Sequence, residues 1–249
     1  MTENYNSIRL NRLPMPLKLV VSLTLIVLGI GYVIAMINLY LTYHLTDGEP
    51  GLTVSDLRRS FYGNRDNTKL AAKINGGSME QFLTVQGDKE KILTWIQDGA
   101  ERPGYEKIVK TILTENCIRC HNPAGLQRFT PLTSYEEVMV VTQIDRGEPV
   151  ALWARVAHTH VQSIGLIFLI LGAAFCLTSV PERWKIAVVT LPFIALLVDF
   201  GARFLAKYFP HTVYVMMFSG AFIGALFAVM ILVPLWDMWF RKSVPRREG

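Results

Sequence analysis

Four long apolar runs constrain this chain more than any other feature: residues 19–43, 161–180, 186–206 and 213–238. Each holds about 20 residues or more, enough for a helix to cross a hydrocarbon core ~30 Å thick. No water reaches the backbone in that core, so a lone apolar segment satisfies its N–H and C=O groups only by forming a helix. The expected fold is therefore mainly α, built around a four-helix transmembrane bundle. The first run is too long for the apolar region of a signal peptide, and no small-residue cleavage site follows it. It is expected to be a retained anchor. Residues 46–157, between the first and second runs, are sufficient for one small domain.

The net charge of +5 is distributed as a topology signal. Arg9, Arg12 and Lys18 precede the first run, and Arg183 and Lys185 lie between the second and third. Arg241, Lys242, Arg246 and Arg247 follow the fourth. In a four-span protein these places share one side, which the positive-inside rule makes cytoplasmic. Residues 1–18 and 241–249 are thus expected in the cytoplasm, with 46–157 on the outer face. The charge in 44–160 is nearly balanced, so the basic excess gives no case for a nucleic-acid partner. The lipid bilayer is the expected environment.

Within the outer segment stands Cys117-Ile118-Arg119-Cys120-His121, a C-x-x-C-H sequence. Two thiols at this spacing can each add across a haem vinyl group, and the adjacent histidine is then held beneath the iron as an axial ligand. A zinc site wants four ligands, and the one other cysteine, Cys176, lies inside an apolar run. A redox-active C-x-x-C does not require the histidine and belongs to a βαβ context for which there is no signal here. Cys117 and Cys120 are expected to tether one covalent haem c, with His121 on the iron. Covalent attachment takes place on the outer side of bacterial membranes, the same side that the charges assign to this segment.

Local signals in the outer segment are helical. Thr53 or Ser55 could cap a short helix through Arg59. Residues 89–99 predict a second helix, with Ile92, Leu93 and Ile96 on one face, Trp95 flanking it and Gly99 at its end. Residues 105–117 predict a third, with Ile108, Ile112 and Leu113 on one stripe leading into the haem motif.

Asp88-Lys89-Glu90-Lys91-Ile92-Leu93-Thr94-Trp95-Ile96-Gln97-Asp98-Gly99-Ala100 resembles the last helix of small class I cytochromes c, with its W-I-x-x-G-A pattern. In that family a methionine slightly upstream of this helix is the sixth iron ligand, and Met79, in Gly76-Gly77-Ser78-Met79, occupies the matching place. The stretch from Pro131-Leu132-Thr133-Ser134-Tyr135-Glu136 through Gly147-Glu148-Pro149 and Leu152 resembles the segment that follows C-x-x-C-H in the family. The order differs, because here the methionine and last helix precede the haem motif, as in a circular permutation. The rearrangement closes little extra loop, since the family's first and last helices cross and the short 101–104 turn joins them. The resemblance implies a small helical cytochrome c domain over 46–157, with Met79 opposite His121 on the iron. His158 and His160 remain alternative sixth ligands that would make the iron bis-histidine. Tyr135 and Arg128 are candidates for the haem pocket.

The remaining histidines, His44, His158, His160 and His211, all fall at the expected outer ends of spans. Asp199 lies in the outer half of the third run, one turn before Arg203, where a charge is costly unless paired or functional. An Asp199–Arg203 pair on one helix face is the bland account, and interfacial histidines are amphipathic enough to sit at headgroup level. Three sharper alternatives stand beside it. His158 or His160 with His211 could hold a haem b. The same side chains could bind copper. A histidine with Asp199 could take protons from a quinol, a quinone-type second cofactor, while electrons pass to the haem.

The sequence therefore predicts a membrane-anchored c-type cytochrome in a bacterial inner membrane, its haem domain periplasmic. Electron transfer with other membrane redox subunits, a soluble cytochrome or quinol is the expected role. A quinol-oxidising module and an accessory subunit of a membrane enzyme complex are the alternatives.

Overall fold

A computed structural model describes residues 9–241; Lys242, Arg246 and Arg247 and residues 1–8 lie outside the described residues. Among the described residues the secondary structure is helical, with no strand beyond an isolated antiparallel bridge between Thr68 and Ile144. The chain divides into two compact units. One comprises residues 9–39, 150–205 and 211–241 of the described chain, and the other residues 40–149 and 206–210.

Four helices are long and apolar enough to cross a membrane: α1 (Met15–Tyr43), α7 (Val150–Cys176), α8 (Glu182–Ala206) and α9 (Thr212–Trp239). This is a multi-pass membrane protein, and its lipid environment follows from the helices' length and composition. Each begins before the apolar run that predicts it. The difference is largest for α7, which starts at Val150 rather than at residue 161, so His158 and His160 are helical and the boundary of the second unit falls at Pro149.

Along α1 the buried residues are Ser22 and Leu25, while Val20, Leu23, Val27, Ile30 and Ile34 are exposed. A helix apolar all round is suited to lipid on its outer faces. The bundle core joins Leu25 of α1 to Phe168, Leu171 and Phe175 of α7, Leu196 and Phe200 of α8, and Phe227 and Met230 of α9. Tyr32 of α1 stacks on Phe227 at 4.6 Å between ring centroids.

One end of the bundle is tied by polar contacts. Leu10 N–H donates to the Leu177 carbonyl at 3.1 Å. Lys18 Nζ reaches the Met238 carbonyl at 3.5 Å, and Trp239 Nε1 donates to Ser22 Oγ at 2.9 Å. Asp237, buried in the last turn of α9, accepts from Ser179 N–H at 3.2 Å and pairs with Arg241 at 3.5 Å. The basic groups around Arg12, Lys18, Lys185 and Arg241 therefore gather at the same end of the bundle.

The second unit contains the short helices α2 (Val54–Phe61), α3 (Lys69–Ile74), α4 (Asp88–Gln97) and α6 (Tyr135–Val141). Between α4 and α6 runs α5, an unbroken helical stretch over residues 102–116. Thr53 caps α2, accepting from Asp56 N–H at 3.1 Å while Asp56 Oδ2 accepts from Thr53 N–H at 2.8 Å. Ser134 and Glu137 form the same reciprocal cap on α6. At the end of α4, Gly99 N–H bonds to the Ile96 carbonyl at 3.2 Å and Ala100 N–H to the Trp95 carbonyl at 2.9 Å. These are the two bonds of a Schellman stop.

The core of this unit is the packing of α4 on α5. Ile92 and Trp95 are the buried residues at the centre of the α4 face, with Leu93 and Ile96 half-buried on either side. Trp95 donates Nε1–H to the Glu101 carbonyl at 2.9 Å and lies 6.2 Å from the Tyr105 ring. On α5 the buried stripe is Tyr105, Val109, Ile112 and Leu113, whereas Ile108 is exposed. The predicted stripe through Ile108 fails because Tyr105–Val109 is a π turn, closed by Lys110 N–H on the Tyr105 carbonyl. The wider turn re-phases the helix and brings Val109 inward. Trp95→Ala is expected to destabilise this unit by about 3–5 kcal/mol. In urea, proteolysis within residues 40–149 would then begin at lower concentration than in the parent, while the bundle keeps its far-ultraviolet helix signal.

Candidate functional site

The C-x-x-C-H motif is where α5 ends, and its geometry follows from that ending. Cys117 N–H still bonds to the Leu113 carbonyl at 2.8 Å. A further turn then holds Cys120 N–H and His121 N–H on the Cys117 carbonyl, at 3.0 and 2.9 Å. Cys117 and Cys120 are both half-buried free thiols, and Cys117 packs against the α4–α5 core. Burial first, and the neighbouring Cys120 second, push the Cys117 thiol up to about 11.

After His121 the chain doubles back. Asn122 builds the bend: its Oδ1 accepts from Ala124 N–H at 2.8 Å, and its Nδ2 donates to the Ile118 carbonyl at 2.7 Å. Gly125 lies so close to the Cys120 carbonyl that any side chain there would collide with backbone. Its absence lets Gln127 N–H reach the Cys120 carbonyl at 2.9 Å, and Leu132 N–H reach the His121 carbonyl at 3.0 Å. The result bears on chemistry: His121 Nδ1 lies 2.8 Å from the Thr130 carbonyl oxygen. A carbonyl oxygen can only accept, so the ring donates from Nδ1, and in the neutral imidazole Nε2 is then the nitrogen with the lone pair. Histidines that bind metals are oriented in this way, with the second ring nitrogen donating to a backbone carbonyl or carboxylate.

Met79, the predicted opposing ligand, follows α3. It is half-buried and packs against the same core as Cys117. Its position is set from both sides by its neighbour Glu80. Glu80 Oε2 accepts from Gly76 N–H at 2.6 Å, and Oε1 pairs with Lys89 of α4 at 2.8 Å. The Lys89 hydrogen bond, then that of Gly76, hold the Glu80 carboxyl below its ordinary value.

These residues fit a covalently held haem. The chain supplies two thiols one helical turn apart, a histidine with Nε2 available, and a thioether beside the same core. The loop also leaves Leu126 and Phe129 89% and 78% exposed next to the motif, apolar surface suited to a porphyrin. Of the two suggested pocket residues, Tyr135 packs against the same α4–α5 core as Cys117 and Met79. Its hydroxyl donates to the Ala100 carbonyl at 3.1 Å, and its ring meets Tyr105 at 5.4 Å. Arg128 lies over the Phe129 ring at 4.9 Å. The contacts that sequence reasoning missed are Thr130 and Glu80. The Asn-Pro-Ala-Gly turn after His121 was a visible signal for the first, and the acid beside Met79 for the second.

The other histidines are placed separately. His44, in the second unit, stacks on Tyr40 at 4.6 Å, with Nδ1 3.0 Å from the Tyr40 carbonyl. His158 and His160 are exposed on α7, and each directs Nδ1 to the carbonyl one turn earlier, Ala154 at 3.3 Å and Val156 at 2.9 Å. His160 lies 6.5 Å from the Phe200 ring. His211 stands at the N-terminal end of α9. Asp199 Oδ1 accepts from Ser219 Oγ of α9 at 2.9 Å, a contact across two spans. Among the described residues no three of these His, Cys, Asp or Glu side chains converge as a metal-binding group.

In haem-free protein, the raised value at Cys117 means a thiol that stays protonated at neutral pH. Its alkylation by iodoacetamide is expected to accelerate about tenfold per pH unit and to level off only near pH 11; peptide mapping would follow it. A plateau below pH 9 would contradict the burial of this thiol.

Residues 148–245 are similar to a family of transmembrane helical domains, a match that takes in α7, α8 and α9 and lies wholly downstream of the C-x-x-C-H motif. No curated protein and no solved structure matches the chain.

Proposed function

We propose that this protein is a membrane-anchored c-type cytochrome that transfers electrons at the outer face of a bacterial inner membrane. The observation that carries the reading is the bond between His121 Nδ1 and the Thr130 carbonyl. The Nδ1–carbonyl bonds of His44, His158 and His160 run to the carbonyl four residues earlier, whereas His121 makes its bond across a loop, to a residue nine positions later. An axial ligand needs a fixed tautomer, with Nε2 directed away from the bond.

In this reading Cys117 and Cys120 would hold the haem through thioethers, and His121 and Met79 would supply the side chains that bind its iron. Bound haem supplies a one-electron Fe(III)/Fe(II) couple. The protein's share is to fix both ligands and to keep one face against the α4–α5 core. Glu80 positions Met79 by clamping Gly76 and Lys89. Methionine with histidine raises the potential relative to two histidines. The outer location is supported by the basic residues gathered at one end of the bundle, the end that the positive-inside rule makes cytoplasmic. Partners would be membrane redox subunits or a soluble cytochrome.

The full chain purified from membranes is expected to give a pyridine haemochrome spectrum of c type, with one haem per chain that denaturant and acid-acetone fail to extract. Met79→Ala should lower the potential by on the order of 0.1 V or more, within the range that axial ligands set. An unchanged potential would remove Met79 and favour a histidine. Glu80→Gln is expected to speed hydrogen exchange through residues 75–89. In the parent, the clamp weakens below the ordinary glutamate value of 4.5, where protonation removes the charge that Lys89 binds. Stability from a depressed carboxyl is present above that value and is lost as pH falls.

Quinol oxidation is the second reading, because Asp199 with Ser219 is a polar contact placed within the apolar bundle. Reduction of the isolated protein by a quinol, abolished by Asp199→Asn, would establish it. No reduction until a partner is added would establish the electron-carrier or accessory role.

A further inference from the structure

A second cluster of charge, unrelated to the haem motif, is built from three separate segments. Residues 60–69 and 143–148 are laced together by backbone bonds: Lys69 N–H to the Gln143 carbonyl, Asp145 N–H to the Asn67 carbonyl and Glu148 N–H to the Ser60 carbonyl, each 2.9 Å. Gly63 and Gly147 pass back to back, both with positive φ (90° and 66°), so close that a side chain on either would strike the other segment's backbone. Asp145 is buried between them and spends its carboxylate on Asn64 N–H and Gly147 N–H, both at 3.0 Å.

The third segment is the loop between α8 and α9. Arg65 Nη2 donates to the Lys207 carbonyl at 2.6 Å. Lys207 Nζ donates to the Arg146 and Glu148 carbonyls at 3.3 and 2.7 Å. The bonds thus fix the side chains of Arg65 and Lys207 and the backbone of Lys69 and Arg146, close enough for all three neighbours to act electrostatically on Lys207. Burial, followed by Arg65 and Lys69, pulls the Lys207 ammonium below its ordinary value, with Arg146 adding to the effect and Glu148 opposing it. Four cations therefore share this spot with the carboxylates of Asp145 and Glu148. Asp66, beside Arg65 in sequence, is exposed.

We propose that Arg65, Lys69, Arg146 and Lys207 form a binding face for the phosphate of an anionic phospholipid. Chain continuity selects the lipid over a soluble anion. Lys207 is the first residue after α8, and α9 begins five residues later at Thr212, so this loop has no length to leave the membrane surface. Its next two residues, Tyr208 and Phe209, are 52% and 60% exposed, the residue types that settle at headgroup level. Basic side chains at that depth attract anionic headgroups. The site does not depend on haem being present.

The test titrates the full delipidated chain in detergent with dioleoyl-phosphatidylglycerol or dioleoyl-phosphatidylcholine, counting bound lipid by native mass spectrometry. Phosphatidylglycerol is expected to bind at least tenfold more tightly. The R65Q/K69Q/R146Q variant should lose roughly fivefold per charge removed, and R65K/R146K should retain the preference. If the triple variant fails to stay monodisperse, the exposed Arg146→Gln alone should show the fivefold loss. Equal affinity for the two lipids, or a preference unchanged in these variants, would overturn the proposal. So would displacement of the lipid by equimolar inorganic phosphate, or by a polyglutamate peptide that binds the face more tightly than vesicles containing phosphatidylglycerol.

Discussion

The demand that backbone polar groups find partners without water governs the larger part of this molecule. It makes each of the four apolar segments a helix, and it explains where polar side chains are admitted among them. Ser219 shares its hydroxyl between Asp199 and the Met216 carbonyl, so that a carboxylate inside a span has a donor. Asp237 is buried at a helix end and takes Ser179 and Arg241. Apolar surface is left outward on α1, where a soluble protein would have hidden it.

The second unit works under the opposite rule. It has few residues with which to make a core, and it concentrates them where α4 meets α5, around Trp95 and Tyr105. That packing also has a positional role, because α5 runs directly into the C-x-x-C-H motif and α3 leads to Met79. In the proposed role, the two iron ligands are fixed by the same apolar contacts that stabilise the unit. Flexibility at the core would appear at the metal.

What was legible in the sequence divides along the same line. The spans stand out because hydropathy over 20 residues is a strong signal, and a cap at Thr53 or Ser55 was readable from residue types; the structure selects Thr53 and adds an unforeseen cap at Ser134. The N-terminal end of α7 was not readable, since Val150 to His160 is too polar to be taken for a span and becomes helical by continuing one. The stripe through Ile108 was wrong because a π turn obeys no 3.6-residue period. At the candidate site the motif named its own three residues. The Asn-Pro-Ala-Gly run after His121 signals a reversal of the chain but does not single out Thr130, whose contribution is a backbone carbonyl nine residues later that any residue type supplies.

The basic residues of the two units are held differently, and the difference bears on what each set can do. At the end tied by Leu10, α7 and α9 both terminate, and their last carbonyls carry the negative end of the helix dipole. Lys185 Nζ lies 2.6 Å from the Cys176 carbonyl and Lys18 Nζ 3.5 Å from that of Met238, so these cations complete helices. Lys69 and Arg146 complete no helix C-terminus, whereas Arg65 donates to the carbonyl of Lys207, the residue that follows α8. Backbone bonds between loops hold these residues close together against their mutual repulsion, and Lys207 is spent on fastening those loops. Charge neutralised by a helix end reports topology alone. Charge assembled against repulsion by a rigid scaffold retains its field, and a field at the surface of a bilayer acts first on the anionic lipids beside it.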